Sequence, residues 1–130
     1  MSHFSTIRTA LRDRQALVEA LTDLGHPPSA EAAAVRGYRG QTVIAELAVP
    51  MACGGDIGFR WDAASDSYEL VADLELWKQP QPVERFLARL HQRYALRAIL
   101  AASVEEGFQV SEQTDQADGS IELVVTRWDG

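Results

Sequence analysis

The spacing of apolar positions changes several times along the chain, and each change marks an element. Phe4, Ile7 and Leu11, set among serine and threonine, predict a first strand over His3–Leu11 that ties the N-terminus into a sheet. Asp13 then reads as an N-cap, and Leu17, Val18, Leu21 and Leu24 follow at helical spacing until Gly25 and Pro27-Pro28 end the run. From Ala33 to Trp77 the period becomes two. Val43, Ala45, Leu47 and Val49 alternate, as do Ile57, Phe59 and Trp61, and Tyr68, Leu70, Ala72 and Leu74 oppose Glu69, Asp73 and Glu75. A shorter strand over Val35–Tyr38 precedes them, and Asp62–Ser67 has the composition of a hairpin loop.

Pro82 opens a second helix, with Val83, Phe86, Leu87, Leu90 and Tyr94 on one face, which runs to Glu105 before Gly107. Unbroken, it would be ~36 Å long at ~1.5 Å per residue. Its later part, Ala95–Ala102, is apolar nearly all round and calls for cover on more than one side. Phe108–Thr114 and Ser120–Trp128 predict a last hairpin turned at Asp118-Gly119. The order is therefore strand, helix, strand meander, long helix, hairpin. An α+β fold follows, with an antiparallel sheet of about six strands and both helices on one face, in a single domain over residues 1–130. The opposite sheet face would carry Arg60, Glu69, Asp73 and Glu75.

With 46% hydrophobic and 24% charged residues, the chain has the composition of an ordinary folded protein. Nineteen acidic against twelve basic side chains leave a net charge of -7, which argues against nucleic acid and anionic lipid as partners. No apolar run approaches the roughly 20 residues of a membrane span, and Met1–Thr6 lacks the order of a secretory signal. Cys53 is the lone thiol and suits a reducing compartment, so a cytoplasmic protein is expected.

Several separated blocks carry a family resemblance. Met1-Ser2-His3-Phe4-Ser5, Val35-Arg36-Gly37-Tyr38, Asp56-Ile57-Gly58-Phe59, Tyr68-Glu69-Leu70-Val71-Ala72-Asp73, Gln92-Arg93-Tyr94-Ala95, and Gly119-Ser120-Ile121 with Arg127-Trp128 resemble, in order, the hypothetical chloroplast reading frame 35 family, or domain of unknown function 1257. The resemblance implies no activity, cofactor or catalytic residue. By gene association in the family it implies an AAA-type ATPase as protein partner. The alanine- and arginine-rich composition departs from plastid relatives and favours a bacterial cytoplasm.

No catalytic constellation emerges from the residues themselves. His3, His26 and His91 are scattered and no CxxC or HxxxH occurs, so neither a metal nor another cofactor is expected. Cys53-Gly54-Gly55-Asp56 offers a reactive thiol in a glycine loop, without a neighbouring histidine as base. Glu69, Asp73 and Glu75 read as a wet sheet face, with Arg36 and Arg60 able to stand across from such carboxylates. Tyr94 continues the Phe86, Leu90 stripe, which predicts a core ring with its hydroxyl on a polar partner, whereas Arg93 lies off that stripe.

Three tryptophans stand at strand ends. Parity puts Trp61 with Ile57 and Phe59 in the core, and Trp77 and Trp128 on the surface. Aromatic and arginine residues at such ends are the types enriched at interfaces. The leading expectation is a non-enzymatic binding or adaptor module that contacts a protein through a sheet face or edge, using Arg36, Tyr38, Arg60, Trp77, Arg93, Arg127 and Trp128. The alternative is a small-molecule-binding protein or enzyme with a pocket between sheet and long helix, served by Arg60, Asp73 and Tyr94. Homo-oligomerisation over Ala95–Ala102 is a third possibility.

Overall fold

The computed structural model describes residues 4–51, 55–77, 81–105, 108–115 and 121–127, the last two stretches as backbone strands. Strand β1 (Ser5–Arg8) is shorter than its apolar pattern suggests, because Thr9 turns to donate from Oγ1 to the Tyr68 carbonyl and to accept from Leu11 N–H. Helix α1 (Arg14–Asp23) starts where expected, with the Asp13 carboxylate accepting from Ala16 N–H. It ends in the paired bonds of a Schellman motif, His26 N–H to Leu21 and Gly25 N–H to Thr22, with Gly25 at φ +84°.

The expected six-stranded sheet is divided. Strands β4 (Leu47–Val49), β5 (Ile57–Asp62) and β6 (Ser67–Ala72) form an antiparallel meander that β1 joins, in the order β1-β6-β5-β4. Strands β2 (Ala33–Arg36) and β3 (Thr42–Ala45) form a separate hairpin. The run Val43, Ala45, Leu47, Val49 changes partner at Glu46, pairing first with β2 and then with β5, so that Val43 and Ala45 pack in the smaller cluster and Leu47 and Val49 in the main core. Beyond β6, Asp73 begins a 3-10 turn over Leu74–Leu76, which ends the strand parity on which the placement of Trp77 depended. Helix α2 (Val83–Glu105) is followed by the hairpin of β7 (Phe108–Asp115) and β8 (Ile121–Arg127), which is bulged between Val110 and Glu112.

Both faces of the four-stranded sheet are packed. On one, the helices bury Leu17, Leu21, Phe86 and Leu90 against Leu47, Phe59 and Leu70. On the other, the β2–β3 hairpin closes a smaller core of Val35, Ala45 and Ala48, joined by Phe4 and Val43. A face expected to be simply wet is thus partly apolar. Gly58 is what lets the hairpin approach, since a Cβ there would clash with Val35 Cγ2.

The two helices are tied together by polar contacts at their exposed edges. Asp23, at the end of α1, accepts from Arg93 Nε at 2.9 Å and from Arg97 Nε at 2.7 Å. The Tyr94 ring packs against the core, and its hydroxyl accepts from Arg12 and Asp13 N–H at 3.2 and 2.8 Å, as its sequence position predicts. The cover expected over Ala95–Ala102 is incomplete, because Leu96 is buried whereas Ile99 is 48% exposed.

Candidate functional site

Two buried carboxylates fix the chain on either side of Gly37. Asp56, which enters β5 from the Gly55 loop, accepts from Arg36 Nε at 2.7 Å and Nη2 at 2.8 Å. It also accepts from the main-chain N–H groups of Arg36 and Met51, each at 3.1 Å, while its own N–H donates to the Arg36 carbonyl. The guanidinium beside Asp56 holds its carboxyl below the ordinary carboxylate range. Burial opposes that shift, and the two amides assist it. The same contact raises Arg36 above the usual arginine value.

Asp73 is the second anchor. It accepts from Tyr38 N–H at 3.0 Å and, as the cap of the following 3-10 turn, from Glu75 N–H at 3.1 Å. Its 2% exposure removes it from the wet acidic face on which its parity placed it. The reason is that β6 stops at Ala72, so the alternation does not continue. Between the anchors Gly37 lies against the Phe4 ring, where a Cβ would come within 2.6 Å. The tip then turns through Tyr38–Gly40, with Arg39 in the left-handed region at φ 53° and its guanidinium 5.1 Å from the Tyr38 ring centre.

On the sheet below, Arg60 and Glu69 are register partners on β5 and β6, joined by Nε and Nη2 contacts of 2.9 Å to one carboxylate oxygen. The expectation of an arginine facing Glu69 across the sheet is met by Arg60, whereas Arg36 goes to Asp56. A concavity of about 490 Å³ lies here, lined by Phe4, Thr6, Gln41, Thr42, Val43, Arg60 and Val71. Its size is that of a ligand or side-chain site, and its lining mixes apolar surface with hydroxyl, amide and guanidinium groups.

Of the residues singled out from sequence, Arg36, Tyr38, Arg60 and Asp73 come together around the β2–β3 hairpin. Arg93 and Tyr94 lie at the helix contact on the other side of the sheet, so Arg60, Asp73 and Tyr94 do not converge on a pocket under α2. The assignments of Trp61 and Trp77 are reversed. Trp61 keeps the core-facing parity and meets Tyr68 edge-on at 5.1 Å, but it stands at the strand end with 37% exposure. Trp77 packs on the helix-side core, edge-on to Phe86 at 5.7 Å, with its indole N–H donating to the Gln81 carbonyl. Cys53, Trp128 and the Arg127 side chain lie outside the described residues.

Sequence reasoning overlooked Asp56 as an anchor, Ile44 as an exposed apolar side chain, and the wall formed by Gln41 and Thr42. A lone aspartate after a glycine loop carries no local sign that its acceptors will be filled from 20 residues away. The alternation through β3 does contain Ile44 on the outward parity, and that signal was available. Among the described residues no three His, Cys, Asp or Glu side chains gather as a metal site, and no helix is long and apolar enough to cross a membrane.

Comparisons with known proteins agree over nearly the whole chain. The family described as "Protein of unknown function (DUF1257)" matches residues 20–124. The "Uncharacterized protein ycf35" of Guillardia theta is 41% identical over 128 residues, covering 98% of both chains, and that of Pyropia yezoensis is 38% identical over the same share. No solved structure matches. With one family spanning most of its length and relatives spanning almost all of it, the chain belongs to the DUF1257 family of unknown function, together with the ycf35 proteins.

Proposed function

We propose that this protein is a cytoplasmic binding or adaptor module that contacts a partner protein through the β2–β3 hairpin and the sheet face beside it. The observation that carries this reading is the rigid presentation of the hairpin. Its turn end is held by Asp56 and Asp73, whereas its outer surface displays Ile44, 62% exposed, with Arg36 diagonally across the ladder and Arg39 exposed at the turn. A fixed backbone lowers the ordering cost of association, and an aliphatic residue among arginines suits a protein contact. Holding Arg39 in the left-handed region costs on the order of 1 kcal/mol, a cost tolerated where a tip must keep one shape. The lone thiol supports the cytoplasmic setting.

The family resemblance suggests an AAA-type ATPase as the first partner to test. Immobilised protein should retain a specific partner from its host lysate, identified by mass spectrometry and rebound in purified form. The surface variant Arg39→Gly/Ile44→Asp, which leaves both buried aspartates intact, should release it. Equal retention by wild type and variant sinks the reading, as does retention of nothing.

A further inference from the structure

Among the described residues the β3 strand has a neighbour on one side only. In an antiparallel ladder, successive residues direct their N–H and C=O groups alternately toward the partner and away from it. Arg36 identifies the phase, since its N–H and C=O are both turned away from β3 and satisfied by Asp56. Thr42 is the register partner of Arg36, and Ile44 that of Ala34, so the main-chain groups of Thr42 and Ile44 point outward from the hairpin. No contact to either of these backbone groups occurs among the described residues.

The concavity lies along that edge. Among the described residues its hairpin wall consists of Gln41, Thr42 and Val43, with nothing from β2, and its floor is Phe4, Thr6, Val71 and Arg60. Val71 is the register partner of Gly58, and Arg60 stands two residues further along β5. The apolar and cationic parts of the floor are thus one diagonal step apart, roughly 7–8 Å. Alternate residues of an extended peptide lie about 7 Å apart on one side, which is the same interval.

We infer that the open β3 edge receives an extended segment of a partner protein by strand addition. Main-chain hydrogen bonds to Thr42 and Ile44 hold the segment. One aliphatic side chain rests over Phe4, above the almost fully buried Val71, and a carboxylate two residues along reaches Arg60. Arg60 directs Nε and Nη2 to Glu69, and a guanidinium has five donors, so donor capacity remains for a second carboxylate. This inference rests on the protein-binding reading and names the partner as an extended aliphatic-acidic segment. Strand addition of this kind draws affinity from the backbone and selectivity from pockets at alternate positions.

The test uses the full chain and a displayed library of random heptapeptides, followed by the synthetic form of the selected sequence. The selected peptides should share an aliphatic residue and an aspartate or glutamate two positions apart. Bound to the isotopically labelled protein, the peptide should shift the Thr42 and Ile44 amides and protect them from exchange. N-methylation should weaken binding about tenfold at every second peptide amide and little at the others, which is on the order of one hydrogen bond each. Ile44→Pro, which removes an outward N–H, should weaken it similarly. Because N-methylation leaves the protein untouched, misfolding of Ile44→Pro does not obscure the result. Absence of any selected peptide, or binding indifferent to the alternation of N-methyl groups, overturns strand addition. In either case capture of a partner that Arg39→Gly/Ile44→Asp releases would leave the broader reading standing.

Discussion

Replacing Asp56 with alanine tests whether a buried carboxylate fixes the hairpin. The side chain receives four hydrogen bonds, two from the Arg36 guanidinium and two from the main-chain N–H groups of Arg36 and Met51. The guanidinium is largely in water, with 62% of the Arg36 side chain exposed, so its separation from Asp56 is softened by solvent. The two amides lose their acceptor inside the structure, at roughly 1–3 kcal/mol each. Water entering beside Arg36 keeps the total toward the low end, about 3 kcal/mol. For 130 residues the unfolding entropy is roughly 0.27 kcal/mol per kelvin, which translates this loss into a Tm decrease of about 10 °C.

Calorimetry and urea unfolding of wild type, Asp56→Ala and Arg36→Ala provide the assay. Arg36→Ala leaves the carboxylate its two amides and should stay closer to wild type than Asp56→Ala. The pH dependence has a defined sign. Because the folded carboxyl is held below its unfolded value of about 3.9, its contribution is complete above that value and lost as pH falls through the lower folded value. The gap between wild type and Asp56→Ala should therefore be full at neutral pH and close in acid below about pH 4. Equal Tm losses in the two variants, or a gap that widens in acid, would refute the anchoring argument.

Gly58→Ala should destabilise by about 1–3 kcal/mol through overpacking against Val35 and Ala45, read by chemical denaturation. Asp23→Ala, which frees Arg93 and Arg97 from α1, should cost about 1 kcal/mol and lose part of its effect at high salt. Since the Arg97 contact leads in holding the Asp23 carboxyl below its ordinary range, that stabilisation too should fade as pH falls below about 4. Trp77→Ala should cost about 3 kcal/mol, whereas Trp61→Ala should cost about 1 kcal/mol, a contrast measurable by their unfolding midpoints.

The elements with strong periodicity and their own end signals were legible in the sequence. Asp13 and Gly25 bracket α1 because cap chemistry is local, and the Ile57–Trp61 and Tyr68–Ala72 alternations survive as β5 and β6. Alternation could not reveal a change of partner, so the run through Glu46 looked like one strand of one sheet. The reversal of Trp61 and Trp77 has the same origin, since parity reports a face but neither where cover ends nor where a strand becomes a turn. Of the site, Arg36, Tyr38, Arg60 and Asp73 were visible as residue types. Their assembly depends on contacts between residues such as Tyr38 and Asp73, 35 positions apart, which no local pattern encodes.

The pairing of β1 with β6 also constrains how the chain acquires its shape. Ser5 faces Ala72 across the ladder, and α1 packs against a helix that begins at Val83. During synthesis the first fifty residues therefore emerge before either of those partners exists. The β4-β5-β6 meander closes over short loops and has the smaller entropic cost, so it is the natural scaffold onto which the N-terminal segment later docks. An emerging chain must keep Leu17, Leu21 and the rest of the α1 apolar face from other partners until the second helix has been made.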